Sequence, residues 1–182
     1  MRLLLDEGFP SPPGFRPESI DATVEVVSLR QFDAALTGSQ TPDWYLYLRA
    51  QRAGFDALVT RDWHQSEQIE ELWALSRTDL CVITWRRPIE DPIREWGQLL
   101  AYLPEIRRMI TESGPSIVFL PSPRLDRKNL EKATGMLGQM AKDLGISTRQ
   151  IHDQARSIIE EELASRGDVE LLASLATERR AR

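Results

Sequence analysis

Cysteine, histidine and lysine are nearly missing from this 182-residue chain, which has one, two and three of them. A single cysteine excludes an internal disulfide and any cysteine-based zinc cluster. Its setting, Leu80-Cys81-Val82-Ile83, predicts an inert core residue. Neither histidine has a second histidine or a cysteine near it in the sequence, so a zinc site has little support. No run approaches the ~18 consecutive apolar residues of a spanning helix, and Met1-Arg2-Leu3-Leu4-Leu5-Asp6 is too short for a signal-peptide core. The chain is therefore expected to be soluble and cytoplasmic, with no membrane partner. No segment is of low complexity, and no repeat of ~20–50 residues is visible.

With 41% hydrophobic and 28% charged residues the composition is that of a globular protein, and the net charge of −5 is only mildly acidic. It is unevenly spread. All 11 prolines, every aromatic residue and the cysteine lie in residues 1–123, whereas all three lysines lie beyond. Residues 1–123 carry 12 Arg against 18 acids, a charge of −6; residues 124–182 carry 11 basic residues against 10 acids, a charge of +1. Two units are expected, 1–123 and 124–182.

Five short apolar runs mark the first unit: Arg2–Asp6, Thr23–Ser28, Phe55–Thr60, Leu80–Trp85 and Ser116–Leu120. Nearly continuous apolar runs of this length are what a parallel sheet covered on both faces requires. Helices are signalled between them. Thr41-Pro42-Asp43 offers an N-cap, a proline at the first helical position and an acid in the first turn, followed by Trp44, Tyr47 and Leu48 and a stop at Gly54. A second pattern is Ile69, Leu72, Trp73, Leu75; a third runs from Pro92 to Gly114 with a bend expected at Pro104. Pro10–Pro17 reads as a loop or a short irregular helix. The alternation predicts an α/β fold with a mainly parallel sheet. The second unit predicts three helices, Asn129–Leu144, Ser147–Ala164 and Asp168–Arg179, broken at Gly145 and Gly167.

In open α/β sheets ligands bind beyond the carboxyl ends of the strands. Here that rule selects acids: Asp6-Glu7 after the first run, Asp62 in Thr60-Arg61-Asp62 after the third, and Asp43 at the start of the helix leading into it. Carboxylates gathered in one crevice repel, and a hard divalent cation, Mg²⁺ or Mn²⁺, neutralises them economically. Such an ion lowers the pKa of water and stabilises a phosphoryl transition state, which is the chemistry of phosphodiester hydrolysis.

At Leu3-Leu4-Leu5-Asp6-Glu7, Asp43 and Ala57-Leu58-Val59-Thr60-Arg61-Asp62 the sequence resembles the PIN-like nuclease domain. It is most similar to the compact subgroup among bacterial VapC-type toxins, over roughly residues 1–122. The resemblance implies a three-layer α/β/α sandwich, Mg²⁺ or Mn²⁺ on Asp6, Asp43 and Asp62, and endonucleolytic cleavage of RNA by the toxin of a toxin–antitoxin pair. A small antitoxin protein would be its partner. There is one departure: where relatives show a second Asp followed by Phe, two residues after the Thr-Arg-Asp aspartate, this chain has His64-Gln65. Either His64 contacts a phosphate or metal-bound water, or Glu67 supplies the missing carboxylate, or the site is degenerate.

Each residue also has a structural alternative. Asp43 suits the positive end of its helix, and Asp62 suits an N-cap. Asp6 is harder to explain that way, because an acid at a buried strand end is costly unless paired or metal-bound. Glu7 is expected to point away from the crevice. Arg61 either pairs with Asp62 or Asp6 or grips a phosphate, and Thr60 either orients Asp6 or caps the strand. Trp44 and Trp63 are core residues or base-stacking platforms. Arg16, Arg30, Arg49, Arg52, Arg86 and Arg87 are available to line a substrate groove.

In the second unit Ala141, Gly145 and Ile151 have the spacing of a helix-turn-helix, with Ser147-Thr148 opening the recognition helix. The competing explanation is a helical hairpin that docks on the first unit or on a second subunit, making a homo-oligomer. The leading function is thus a metal-dependent endoribonuclease. The alternative is a weak or inactive PIN-like regulator that binds DNA through its C-terminal helices. A receiver-like phosphoacceptor using Asp62 and Thr84 is disfavoured, since no lysine follows the fifth run.

Overall fold

A computed structural model of the chain describes residues 1–10, 16–38, 41–62, 64, 67–86, 91–120 and 130–178. The five apolar runs form parallel strands β1 (Arg2–Leu5), β2 (Glu25–Ser28), β3 (Ala57–Val59), β4 (Cys81–Trp85) and β5 (Ser116–Leu120). A sixth, β6 (Leu130–Lys132), adds antiparallel to β5. The order is β2-β1-β3-β4-β5-β6, with Leu5 of β1 beside Val59 of β3. Chain order reverses around β1, so the crevice expected of such a sheet opens beyond the ends of β1 and β3.

Period-two alternation divides the side chains between two cores. Leu4, Leu58, Val82, Ile117 and Phe119 point to one face, where they meet α2 (Asp43–Arg52) and α3 (Ile69–Leu75). Leu3, Leu5, Ala57, Val59, Cys81, Ile83 and Val118 point to the other, against Trp96, Leu99, Leu103 and Ile106 of α4 (Pro92–Ser113). Helices therefore cover both faces of a mostly parallel sheet. Cys81 is fully buried, and burial pushes its thiol up to about 12, so it stays an inert neutral thiol.

Asp91 caps α4 and Pro92 opens it, as N-terminal signals of this kind dictate, and the helix continues through Pro104. For α2 the cap falls on Pro42, one residue later than the sequence predicts, leaving Asp43 as the first helical residue. Two elements were not expected. The short helix α1 (Leu29–Phe32) is closed by a Ser28–Gln31 capping box. Residues 130–132, predicted to be helical, are strand β6 because the free edge of β5 offers backbone partners that outweigh local preference.

The C-terminal helices are α5 (Ala133–Asp143), α6 (Thr148–Arg166) and α7 (Val169–Glu178). Ala141 and Ile151, the helix-turn-helix positions, are both buried, and Gly145 takes the positive φ of 68° that ends α5. Both α5 and α6 pack on α3. Leu137, Ala141, Ile151, Ala155, Ile159 and Leu163 join the same apolar core as Leu72 and Trp73. Tyr45 of α2 donates a 2.8 Å hydrogen bond to Asp168, and Arg52 pairs with Glu170. The helical segment is thus docked on the helices of the sheet. None of the helices among the described residues is long and apolar enough to cross a membrane.

Candidate functional site

Asp6 follows the last residue of β1, and its N–H still donates to Val59 of β3 at 2.9 Å. Thr60, directly after β3, is therefore its neighbour: the Thr60 hydroxyl donates to Asp6 Oδ2 at 2.8 Å, and the Glu7 N–H donates to Asp6 Oδ1 at 2.7 Å. The same threonine oxygen accepts the Asp62 N–H at 3.0 Å. One buried hydroxyl thus links the two strand-end acids. Burial pushes the Asp6 carboxyl up, and the charges of Asp62 and Glu7 add to this, while the two hydrogen bonds oppose it.

Asp43 arrives from the first turn of α2. With Asp6, Glu7 and Asp62 it lines a cavity of about 490 Å³ that also includes Gly38 and Thr41. Three acids from separate segments therefore face one space. Among the described residues, however, no three Asp, Glu, His or Cys side chains converge closely enough to hold an ion as they stand. The acids expected in one crevice thus line one cavity without forming such a group. No arginine, lysine or histidine forms an ion pair with Asp6 or Asp62 among the described residues. No family model, curated protein or solved structure matches this chain.

Several side chains differ from expectation. Arg61 pairs with neither Asp6 nor Asp62; its guanidinium grips Glu95 of α4 through contacts of 2.5–3.0 Å, and Glu95 is fully buried. A buried carboxylate needs this counter-charge, so Arg61 is committed to structure. Asp62 does not cap α3, whose N-cap is Gln68; its Oδ1 accepts the His64 N–H at 2.8 Å in a local turn. His64 and Glu67 face each other at the surface, Nδ1 to Oε2 at 3.1 Å, and neither lines the acidic cavity. Glu7 does not point away: β1 has ended, alternation no longer applies, and its Oε2 accepts the Gly38 N–H at 2.8 Å on the cavity wall. Trp44 is buried against Tyr45, which removes it as a stacking platform, and Trp63 lies outside the described residues.

A second cavity, about 500 Å³, shares Asp6, Glu7, Gly8 and Leu29 with the first and extends past Ser28 to Arg30. The two cavities adjoin, and the second sets Arg30 beside the Asp6 and Glu7 that both share. Of the six groove arginines named from sequence, Arg30 lines the second cavity. Arg49 pairs with Asp33, Arg52 with Glu170, and Arg86 with Glu131 while covering the Phe119 ring. Arg16 is exposed and lines neither cavity, and Arg87 is outside the described residues.

Sequence reasoning missed Glu71 on α3. It is only 4% exposed and Oε2 has no hydrogen-bond partner. Burial, then the charges of Asp43 and Asp62, push its carboxyl up to about 9. Burial first, then the charges of Glu71, Asp43, Asp6 and Asp62, push the fully buried Tyr47 hydroxyl well above its ordinary value. The available signal was an acid beside Leu72-Trp73 in a helix that other helices cover.

Proposed function

We propose that the chain is a PIN-like, divalent-metal-dependent endoribonuclease, the toxin of a toxin–antitoxin pair. The observation that carries this reading is the single cavity lined by Asp6, Asp43 and Asp62, residues that the sequence motifs of that family select independently. The donor set suits a hard cation: it is all carboxylate, and among the described residues no cationic side chain forms an ion pair with Asp6 or Asp62. Asp6, Asp43 and Asp62 would hold Mg²⁺ or Mn²⁺, which supplies an activated water and charge stabilisation at the phosphorus.

The remaining work belongs to the chain. Thr60 fixes the rotamer of Asp6 and the backbone of Asp62 at once, so that two donors keep a constant relation. Arg30 lines the adjoining cavity with Asp6 and Glu7 and offers a positive charge there to a phosphate of an RNA strand. A small antitoxin and a second copy of the chain are the protein partners that accompany this reading.

The DNA-binding regulator is the second reading, favoured by the capped, exposed start of α6 after the Gly145 turn. Arg149 there is already engaged with Asp153 at 3.8 Å, and the segment has little net charge to attract phosphates. Incubating the purified protein with RNA in Mg²⁺, Mn²⁺ or EDTA, beside Asp6→Ala and Asp62→Ala, separates the two. Metal-dependent cleavage lost in both variants supports the nuclease; no cleavage with specific DNA binding supports the regulator.

A further inference from the structure

Glu7 stands in the turn that follows β1, where the Phe9 N–H donates back to Asp6 at 3.0 Å. Its own N–H holds Asp6 Oδ1, while its carboxylate reaches 31 positions along the chain to accept the Gly38 N–H at 2.8 Å. Gly38 takes a φ of 119°, which residues with side chains rarely adopt. A methyl group there would meet nothing within 4 Å, so the position calls for backbone freedom and not for space. The other hydrogen bonds of Thr37, Gly38 and Thr41 among the described residues are local: the Thr37 N–H and hydroxyl donate to Ala34, and the Thr41 N–H donates to Gly38. Among those residues, Glu7 is therefore the hydrogen-bonded tie between this segment and the end of β1.

The tie lies where the two cavities meet. Thr37 lines the cavity of Arg30, Gly38 and Thr41 line that of Asp43 and Asp62, and Asp6 and Glu7 line both. A strand with one phosphate at the acids and another at Arg30 crosses this boundary, so the spacing between the Gly38 segment and the turn after β1 sets the shape it must fit. Resting on the nuclease reading, we infer that Glu7 is a positioning residue. Its carboxylate clasps Gly38 to the end of β1 and fixes the boundary over which RNA passes from Asp6, Asp43 and Asp62 to Arg30. The role belongs to the hydrogen-bond acceptor and not to the negative charge, which opposes phosphates.

Glu7→Gln and Glu7→Ala remove the same charge, but only glutamine keeps an acceptor for the Gly38 N–H. In anisotropy titrations of the full chain with a labelled single-stranded RNA in EDTA, Glu7→Ala should bind about tenfold more weakly than Glu7→Gln. Gly38→Ala, strained at its φ with no change of charge, should weaken binding relative to the wild type by a similar factor. With Mn²⁺ present, the contrast between Ala and Gln should appear in KM while kcat stays alike, a split that a general loss of folded protein does not produce. Far-UV circular dichroism checks the fold; if Glu7→Ala does not fold, Glu7→Asp, one methylene too short to reach Gly38, is compared with the wild type instead. Equal RNA affinity in the Gln and Ala variants, or tighter binding by Ala, overturns the assignment and leaves the nuclease reading standing. A wild type that binds no RNA overturns both.

Discussion

Replacing Glu71 with glutamine should stabilise the metal-free protein by an amount that grows with pH. The carboxyl is pushed from its ordinary 4.5 to about 9, so across that interval the folded chain keeps a proton that the unfolded chain releases. Stability then falls as pH rises, by about 1.4 kcal/mol per pH unit, from near 4.5 until the folded group itself ionises near 9. At pH 7 the accumulated loss is about 3 kcal/mol, which for a chain of this size is roughly 5–10 °C in Tm. Glutamine, of nearly the same shape, does not titrate and removes this slope. Asp6, also raised, chiefly by burial, contributes a slope of the same sign that both proteins retain. Urea unfolding in EDTA at pH 5, 6, 7 and 8 measures the difference directly. Curves that run parallel between pH 5 and 8 would refute the burial and charge account of this site.

Two further outcomes follow from the ion pairs. Arg61→Ala strands the fully buried Glu95 and should cost about 3 kcal/mol in urea unfolding, whereas Arg61→Met with Glu95→Met should recover most of it. An unchanged midpoint for Arg61→Ala would return that arginine to the groove. Arg30→Ala should lower the salt dependence of binding to a single-stranded RNA by about one unit of log–log slope, measured by fluorescence anisotropy in EDTA, while Arg86→Ala should not alter it.

Much of the architecture was readable because it is local. Apolar runs gave the five parallel strands, and Pro42 and Pro92 marked helix starts to within a residue. The place of Asp6 on the crevice wall was readable too, since it directly follows a buried strand at the end where the crevice opens. What escaped depends on partners distant in sequence. Arg61 looked like a companion of its neighbouring acids, yet its partner is 34 positions away on the helix covering the opposite face. Residues 130–132 carry no strand pattern and are strand only because β5 has an open edge. Glu71 was hidden for a subtler reason. Ile69, Leu72, Trp73 and Leu75 read as one apolar face of a half-exposed helix, but α3 is enclosed by α2 on one flank and by α5 and α6 on another, so its polar positions are interior too.

That enclosure makes the tail a neighbour of the crevice by one remove. The short helix α3 packs on α2, whose first turn carries Asp43, and on the tail, whose Leu137, Ile151 and Ile159 share the core of Leu72 and Trp73. A binder that pries the C-terminal helices outward therefore loosens α3 without entering the cleft, and a shortened chain ending after β5 would leave the outer flank of α3 bare.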